Sequence, residues 1–142
     1  MSIIVRDAVA EDEASVVALW RSCNLVTPYN DPGADFRFAT SGSNSTVLIA
    51  EDAEGRICGS VMAGHDGHRG WLYYVASALG HRGQGTGRII VEAGEQWLRD
   101  RGVPKVQLII RETNKAVVPF YEHLGYEDAP RILMSKWLDR ID

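Results

Sequence analysis

The stretch Tyr74-Val75-Ala76-Ser77-Ala78-Leu79-Gly80-His81-Arg82-Gly83-Gln84-Gly85-Thr86-Gly87 decides how the rest of the chain is read. Its first residues close an apolar, aromatic-rich run over 71–77 that reads as a strand. Residues 85–101 then place Ile90, Ala93, Gly94 and Trp97 on one stripe, the best helical pattern in the chain, and Gly102 stands where such a helix ends. Between strand and helix, alternate glycines permit left-handed backbone and let successive N–H groups face one concavity. The helix start adds unpaired N–H groups and the positive end of its dipole. Arg82 and Arg88 bring charge to either side. Gly83, Gln84, Gly85, Thr86 and Gly87, so flanked, make an anion site suited to a pyrophosphate.

Working outward, residues 2–7 read as a first strand. The acidic run Glu11-Asp12-Glu13 opens a helix carrying Val16, Leu19, Trp20 and Cys23 at three- and four-residue steps. Residues 24–32 form a loop, and residues 35–40 suit a short second helix. Strands follow over 46–51 and 56–64, joined by the turn Asp52-Ala53-Glu54-Gly55, and residues 66–70 turn the chain into the strand 71–77. After the long helix come a strand over 105–110, a helix over 115–124 stopped by Gly125, and a last strand over 132–138. Three strands in antiparallel meander thus lead into a right-handed β-α-β unit. The fold class expected is α/β (α+β), with a mixed central sheet of six to seven strands and helices on both faces, in one domain over 1–142.

The 142 residues, 45% apolar and 24% charged, are ordinary for one globular domain. A net charge of −4 and a pI near 5.5 argue against a nucleic-acid partner, which calls for a basic face. No run approaches the roughly 18 apolar residues of a membrane span, so no membrane partner is expected either. The N-terminal residues lack the layout of a secretion signal, and cytoplasm is the expected compartment. Cys23 and Cys58 lack framework or zinc spacing and read as buried, reduced thiols; no metal is called for.

Two nucleotide readings of the turn fail. A P-loop ends Gly-Lys-Ser/Thr, whereas this turn continues Gly87-Arg88-Ile89. A dinucleotide fingerprint would need glycine at Arg88 or Ile90, and an acidic residue near Lys105 or Gln107. Arg82-x-x-Gly85-x-Gly87 instead resembles the Q/R-x-x-G-x-G/A signature of the GNAT acetyltransferases. Downstream, Asn114 and Phe120-Tyr121-Glu122-His123-Leu124-Gly125-Tyr126 resemble that family's N…FYEKLGF segment. Residues 28–32 and 64–70 are similar to its small bacterial YpeA-like branch. The element order matches the GNAT fold over nearly the whole chain.

The resemblance implies an acetyl-CoA-dependent N-acetyltransferase. The acetyl group would pass to a primary amine of a small molecule or peptide by direct attack in a ternary complex. The backbone of Val75 and Ser77 would pair with the pantetheine arm as a further strand. The amides from Gly83 to Gly87, with Arg82, would hold the pyrophosphate, and Asn114 would hydrogen-bond the arm. Tyr121 would stand by the thioester sulfur and protonate the leaving thiolate. The family's strand usually ends apolar-x-Val-x-Pro, whereas this one ends Val75-Ala76-Ser77-Ala78-Leu79, a change that backbone contacts tolerate.

The general base is not legible. Where some relatives place a Glu in the fifth strand, Ile109 stands here; Glu112, Asp66, His65 and His68 are the titratable alternatives, and a water relay is another. Asp31 and Asp66 would suit a cationic acceptor but are equally ordinary turn residues. Trp20, Trp71, Trp97 and Trp137 read as core or half-core aromatics. A non-catalytic acyl-CoA sensor is the rival function. A homodimer is compatible with everything read so far.

Overall fold

The structure, a computed structural model, describes residues 2–81 and 83–140, in two compact units divided after Ile109. In the first unit β1 (Ile4–Asp7), β2 (Ser45–Glu51), β3 (Ile57–His65), β4 (Gly70–Ser77) and β5 (Val106–Leu108) form one sheet in the order β1-β2-β3-β4-β5. The first four strands pair antiparallel, and β5 lies parallel to β4 after the crossover through α3 (Thr86–Asp100). The meander and the β-α-β unit expected from the sequence are both present.

The pleat sends alternate side chains to opposite faces, and different helices cover each. On one face α1 (Glu13–Ser22) and α2 (Pro32–Ser41) pack Val16, Leu19, Trp20, Phe36 and Ala39 against Val47, Ile49 and Ala76. The indole of Trp20, wholly buried, donates to Ser60 Oγ at 2.8 Å, so its one polar atom is satisfied inside this core. On the other face lies α3, whose Gly94 lets Leu72 and Val61 of the sheet come close. A Cβ at Gly94 would sit 2.9 Å from Leu72 Cδ2 and 3.4 Å from Val61 Cγ1. Gly94→Val is therefore expected to cost about 1–3 kcal/mol through overpacking, read as a lower urea midpoint at an unchanged slope.

The α3 helix ends as its sequence foretold. Gly102 takes φ +76°, Gly102 N donates to Arg99 O and Val103 N to Leu98 O, which closes the last carbonyls in a Schellman motif.

The second unit holds a 3₁₀ segment, Glu112–Val117, running into α4 (Val118–His123). The expected helix over 115–124 thus starts earlier and as a tighter winding. Pro119 lacks an N–H, so it suits only the first turn of α4. Gly125, at φ +95°, stops α4 with a second Schellman motif, Tyr126 N donating to Tyr121 O and Gly125 N to Glu122 O.

The expected strand over 132–138 is a correction: those residues carry no regular structure, and the sheet has five strands among the described residues. Strand propensity supplies no ladder partner, and here none is found. Ile132, Leu133, Met134 and Leu138 are exposed, and so is Trp137, under the guanidinium of Arg140, rather than half-core. The fifth strand is also shorter than expected, so Ile109 falls beyond its ladder.

Candidate active site

Strand β4 changes its hydrogen-bonding side midway, and that creates the site. At its start Gly70 N donates to Lys105 O, on the β5 side. Just past its end Ala78 N donates to Cys58 O, on the β3 side. In a regular strand two even-numbered residues face the same neighbour, so the parity is broken in between. The break lies at Tyr74: Tyr73 pairs with Met62 and Ala76 with Ser60, leaving Tyr74 and Val75 opposite Val61 alone. This is a β-bulge, and Tyr74 takes φ +51°, a left-handed backbone rare for an aromatic residue. Past the bulge, the main-chain groups of Val75 and Ser77 turn toward the β5 side. The β4–β5 pairing ends at Leu72 with Leu108, so this edge of β4 has no strand partner among the described residues.

The side chains hold the bulge from the α1/α2 face. The Tyr74 ring stacks on Trp20 with centroids 3.8 Å apart and planes 10° apart. Its hydroxyl donates to Asp35 Oδ2 at 2.7 Å, and its carbonyl accepts from Ser60 Oγ at 3.2 Å. Burial, joined by the negative Asp35, pushes the Tyr74 hydroxyl well above the usual phenol value. The two hydrogen-bond partners lie 14 and 39 residues away in sequence and Trp20 farther still, so no local pattern could have shown them.

The glycine turn follows at the end of this edge. Gly83 and Gly85 sit at φ +84° and +81°, and a Cβ on either would meet nothing within 4 Å, so the cradle is open. Gly87, by contrast, is the second residue of α3. Gly85 is the N-cap of α3, with no side-chain cap and no acidic residue in the first turn. The first helical bond is Ile89 N to Gly85 O, and the amides of Gly87 and Arg88 ahead of it have no backbone acceptor among the described residues. Gln84 N instead donates to His81 O, and its side chain to Gly80 O. Arg88 is exposed and paired with Glu92 at 3.5 Å. Arg82 lies outside the described residues.

Among the described residues four buried side-chain polar atoms lack a hydrogen-bond partner, and three of them bracket this turn: Ser77 Oγ, His81 Nδ1 and Thr86 Oγ1. Buried polar groups are nearly always satisfied, so such a concentration at one place marks where a polar ligand fits. An open glycine cradle, an uncapped helix start and orphaned polar atoms suit a diphosphate; the unpaired β4 edge suits an amide-bearing chain.

In the second unit Asn114 is exposed in the 3₁₀ segment, at φ −123° and ψ 32°. Tyr121 lies edge-on to Phe120 and Tyr126, at 5.0 and 5.7 Å, and burial pushes its hydroxyl up to about 12.

Of the alternatives for base or acceptor site, Asp66 and Asp31 are engaged in local structure. Asp66 accepts from His68 N at 2.9 Å, Arg69 N at 2.7 Å and Trp71 Nε1 at 3.3 Å, and those amides, Arg69 first, hold its carboxyl at about 2. Asp31 caps α2 through Ala34 N. His68 is exposed beside Arg69, His65 lies against Trp97, and Glu112 is exposed. Of the two thiols Cys58 is buried, whereas Cys23 is only half-buried and lies 3.4 Å from Ser77 O; both are free.

Residues 14–126 match the Acetyltransferase (GNAT) family. An acetyltransferase of Pectobacterium atrosepticum is 40% identical over 128 residues, 90% of each chain. Among solved structures, a predicted acetyltransferase of Clostridium acetobutylicum with acetyl-CoA superposes with a TM-score of 0.78 at 16% identity, over 98% of this chain and 99% of that one. An aminoglycoside acetyltransferase from a soil metagenome, in complex with sisomicin, superposes at 0.78 and 13% identity, over 97% of both chains. The family match and the relative at 40% identity place the chain among the acetyltransferases. The chain belongs to the GNAT family and is an N-acetyltransferase. No helix among the described residues is long and apolar enough to cross a membrane.

Proposed function

We propose that the chain works as one domain that transfers the acetyl group of acetyl-CoA to a primary amine of a small molecule or peptide, by direct attack within a ternary complex. The observation that carries this reading is the parity switch in β4, which turns the main chain of Val75 and Ser77 onto an unpaired edge leading into the glycine turn. Val75 and Ser77 bind the pantetheine arm as a further strand would be bound. The amides of Gly83, Gly85, Thr86, Gly87 and Arg88, with the Arg82 guanidinium, take the diphosphate. The orphaned hydroxyl of Thr86 supports this, since a phosphate oxygen would satisfy it. Asn114 adds a hydrogen bond to the arm.

Acetyl-CoA supplies an acyl group on a thiol leaving group. The new C–N bond forms as the C–S bond breaks. The Val75 or Ser77 amide holds the carbonyl oxygen as charge builds on it. Tyr121 donates its proton to the departing sulfur, and the proton lost by the amine passes to water. With its hydroxyl raised to about 12, Tyr121 keeps that proton throughout the neutral range. Bound amines in related folds, such as the sisomicin complex, support a small-molecule acceptor.

The direct test is ligand-dependent stability. Acetyl-CoA and CoA at about 100 times Kd should stabilise the native state by roughly 2.7 kcal/mol, with a corresponding rise in Tm, and ATP or NAD by much less. Equal shifts with ATP and acetyl-CoA would sink the assignment. Turnover with a panel of amines then separates an enzyme from an acyl-CoA sensor.

A further inference from the structure

We propose that the paired rings of Trp71 and Tyr73, with the Asp66 carboxylate beside them, bind the acceptor and select an amine that carries a second positive charge. The inference rests on reading the β4 edge as the acetyl-CoA site, and it adds the chemical class of the acceptor. Before the bulge, Leu72 lies against Gly94 of α3, so alternation sends Trp71 and Tyr73 to the opposite face of the sheet. Met62, the cross-strand partner of Tyr73, agrees with this, since it packs against the α1/α2 core. The bulge then brings Tyr74 to that same face, where its ring stacks on Trp20. Tyr73 itself stays 46% exposed, and Trp71 is half-buried.

The two rings lie nearly parallel, with centroids 6.3 Å and planes 19° apart. One ammonium can therefore lie within the roughly 6 Å reach of both rings. Asp66 adds a full negative charge, because the turn amides hold its carboxyl at about 2 and it is ionised at every working pH. Its Oδ1 takes the amides of His68 and Arg69, whereas Oδ2 takes only the Trp71 Nε1–H, at 3.3 Å. A carboxylate oxygen has two lone pairs, so Oδ2 can accept a further, charge-assisted bond from a cation. Tyr73 feels the same charge: burial, joined by the negative Asp66, pushes its hydroxyl up and keeps it neutral.

The surroundings have the same sign. Next along the strand Asp35 accepts from the Tyr74 hydroxyl, and Asp31 lies near enough to act on that hydroxyl too. Of the neighbouring cations, Arg37 is paired with Glu13, and Arg69 donates to His68 O. An aromatic, net negative face complements a polycation rather than an anion. Its place along β4 gives the spacing. Tyr73 stands immediately before the bulge, and the β4–β5 pairing ends one residue earlier, at Leu72. The rings therefore lead straight to the open edge at Val75. Four residues of strand separate Trp71 from Val75, about 10–13 Å, and this sets how far the second charge lies from the reacting nitrogen.

The test is calorimetric titration with diaminooctane, charged at both ends, and with octylamine, which has the same chain and one charge. Both are titrated into the free protein and into the protein saturated with CoA. Wild type should bind the diamine on the order of tenfold more tightly than the monoamine. Trp71→Leu and Tyr73→Leu keep apolar contact but remove a π face, and Asp66→Asn keeps an acceptor for the turn amides but removes the charge. Each should cut the preference to within about threefold, through weaker binding of the diamine. Tyr73→Phe retains the π face and should retain the preference, which a merely structural role for the hydroxyl would not explain. Wild type that binds the monoamine as tightly as the diamine would overturn the proposal, as would a preference that survives in all three disruptive variants. Failure of CoA to bind would instead strike at the acetyl-CoA reading, and the titrations of the free protein would still decide the charge preference.

Discussion

Replacing Tyr121 by Phe is expected to lower kcat by about 10²-fold or more while acetyl-CoA affinity changes little. The substitution keeps the ring that packs edge-on against Phe120 and Tyr126, so the C-terminal part of α4 and its Schellman motif should be retained. What is lost is the one proton donor proposed for the leaving sulfur. Burial raises the hydroxyl to about 12, so the donor form is present at any pH below that value and is lost only above it. Any fall in wild-type kcat between about pH 6 and about pH 9 therefore belongs to another group. If amine deprotonation limits the rate at low pH, the Tyr121→Phe defect should shrink there. A variant that turns over within a few-fold of wild type would assign thiolate protonation to water or to another residue.

Gly85→Val is expected to weaken CoA binding by tenfold or more, on the order of 1.4 kcal/mol, while the protein remains folded. At φ +81° any side chain is strained, by roughly 1–2 kcal/mol, and a β-branched one more than most. The protein itself offers no clash, because a Cβ at Gly85 meets nothing within 4 Å. The steric effect thus falls on whatever occupies the cradle. Gly102→Ala, at φ +76° beyond the other end of α3, separates strain from blocking. It should lower stability by a similar amount and leave CoA affinity unchanged. Titration of both variants with CoA, alongside urea unfolding, reads the two effects apart; a folded Gly85→Val protein with wild-type affinity would reduce the turn to a corner in the chain.

Much of this protein is written locally in its sequence. The order of strands and helices, the antiparallel meander and the parallel return follow from short-range periodicity and from glycines placed after helices. Gly102 and Gly125 end α3 and α4 for the reason their positions suggested, since each takes the left-handed backbone that closes the last carbonyls. The backbone of the glycine turn was legible in the same way. Gly83 and Gly85 do take positive φ, although Gly87 proves to be helical. Asp31 and Asp66 were ambiguous from sequence between turn and acceptor roles, and their hydrogen bonds show what they do in the folded chain: one caps α2, the other closes the turn before β4.

Tertiary structure alone decided the rest, since those features depend on partners far away in the chain. The residues 132–138 have the composition of a strand, but a strand exists only through a neighbour's hydrogen bonds, and none is paired there. The bulge at Tyr74 has no sequence signal, for an aromatic residue is among the last expected at φ +51°. It is held by Trp20 from α1, Asp35 from α2 and Ser60 from β3, three elements that only packing brings together. The pair His81–Asp52 likewise joins the start of the glycine turn to a hairpin 29 residues earlier. Sequence placed the glycines of the turn; packing across the sheet determined which way the main chain leading into it faces.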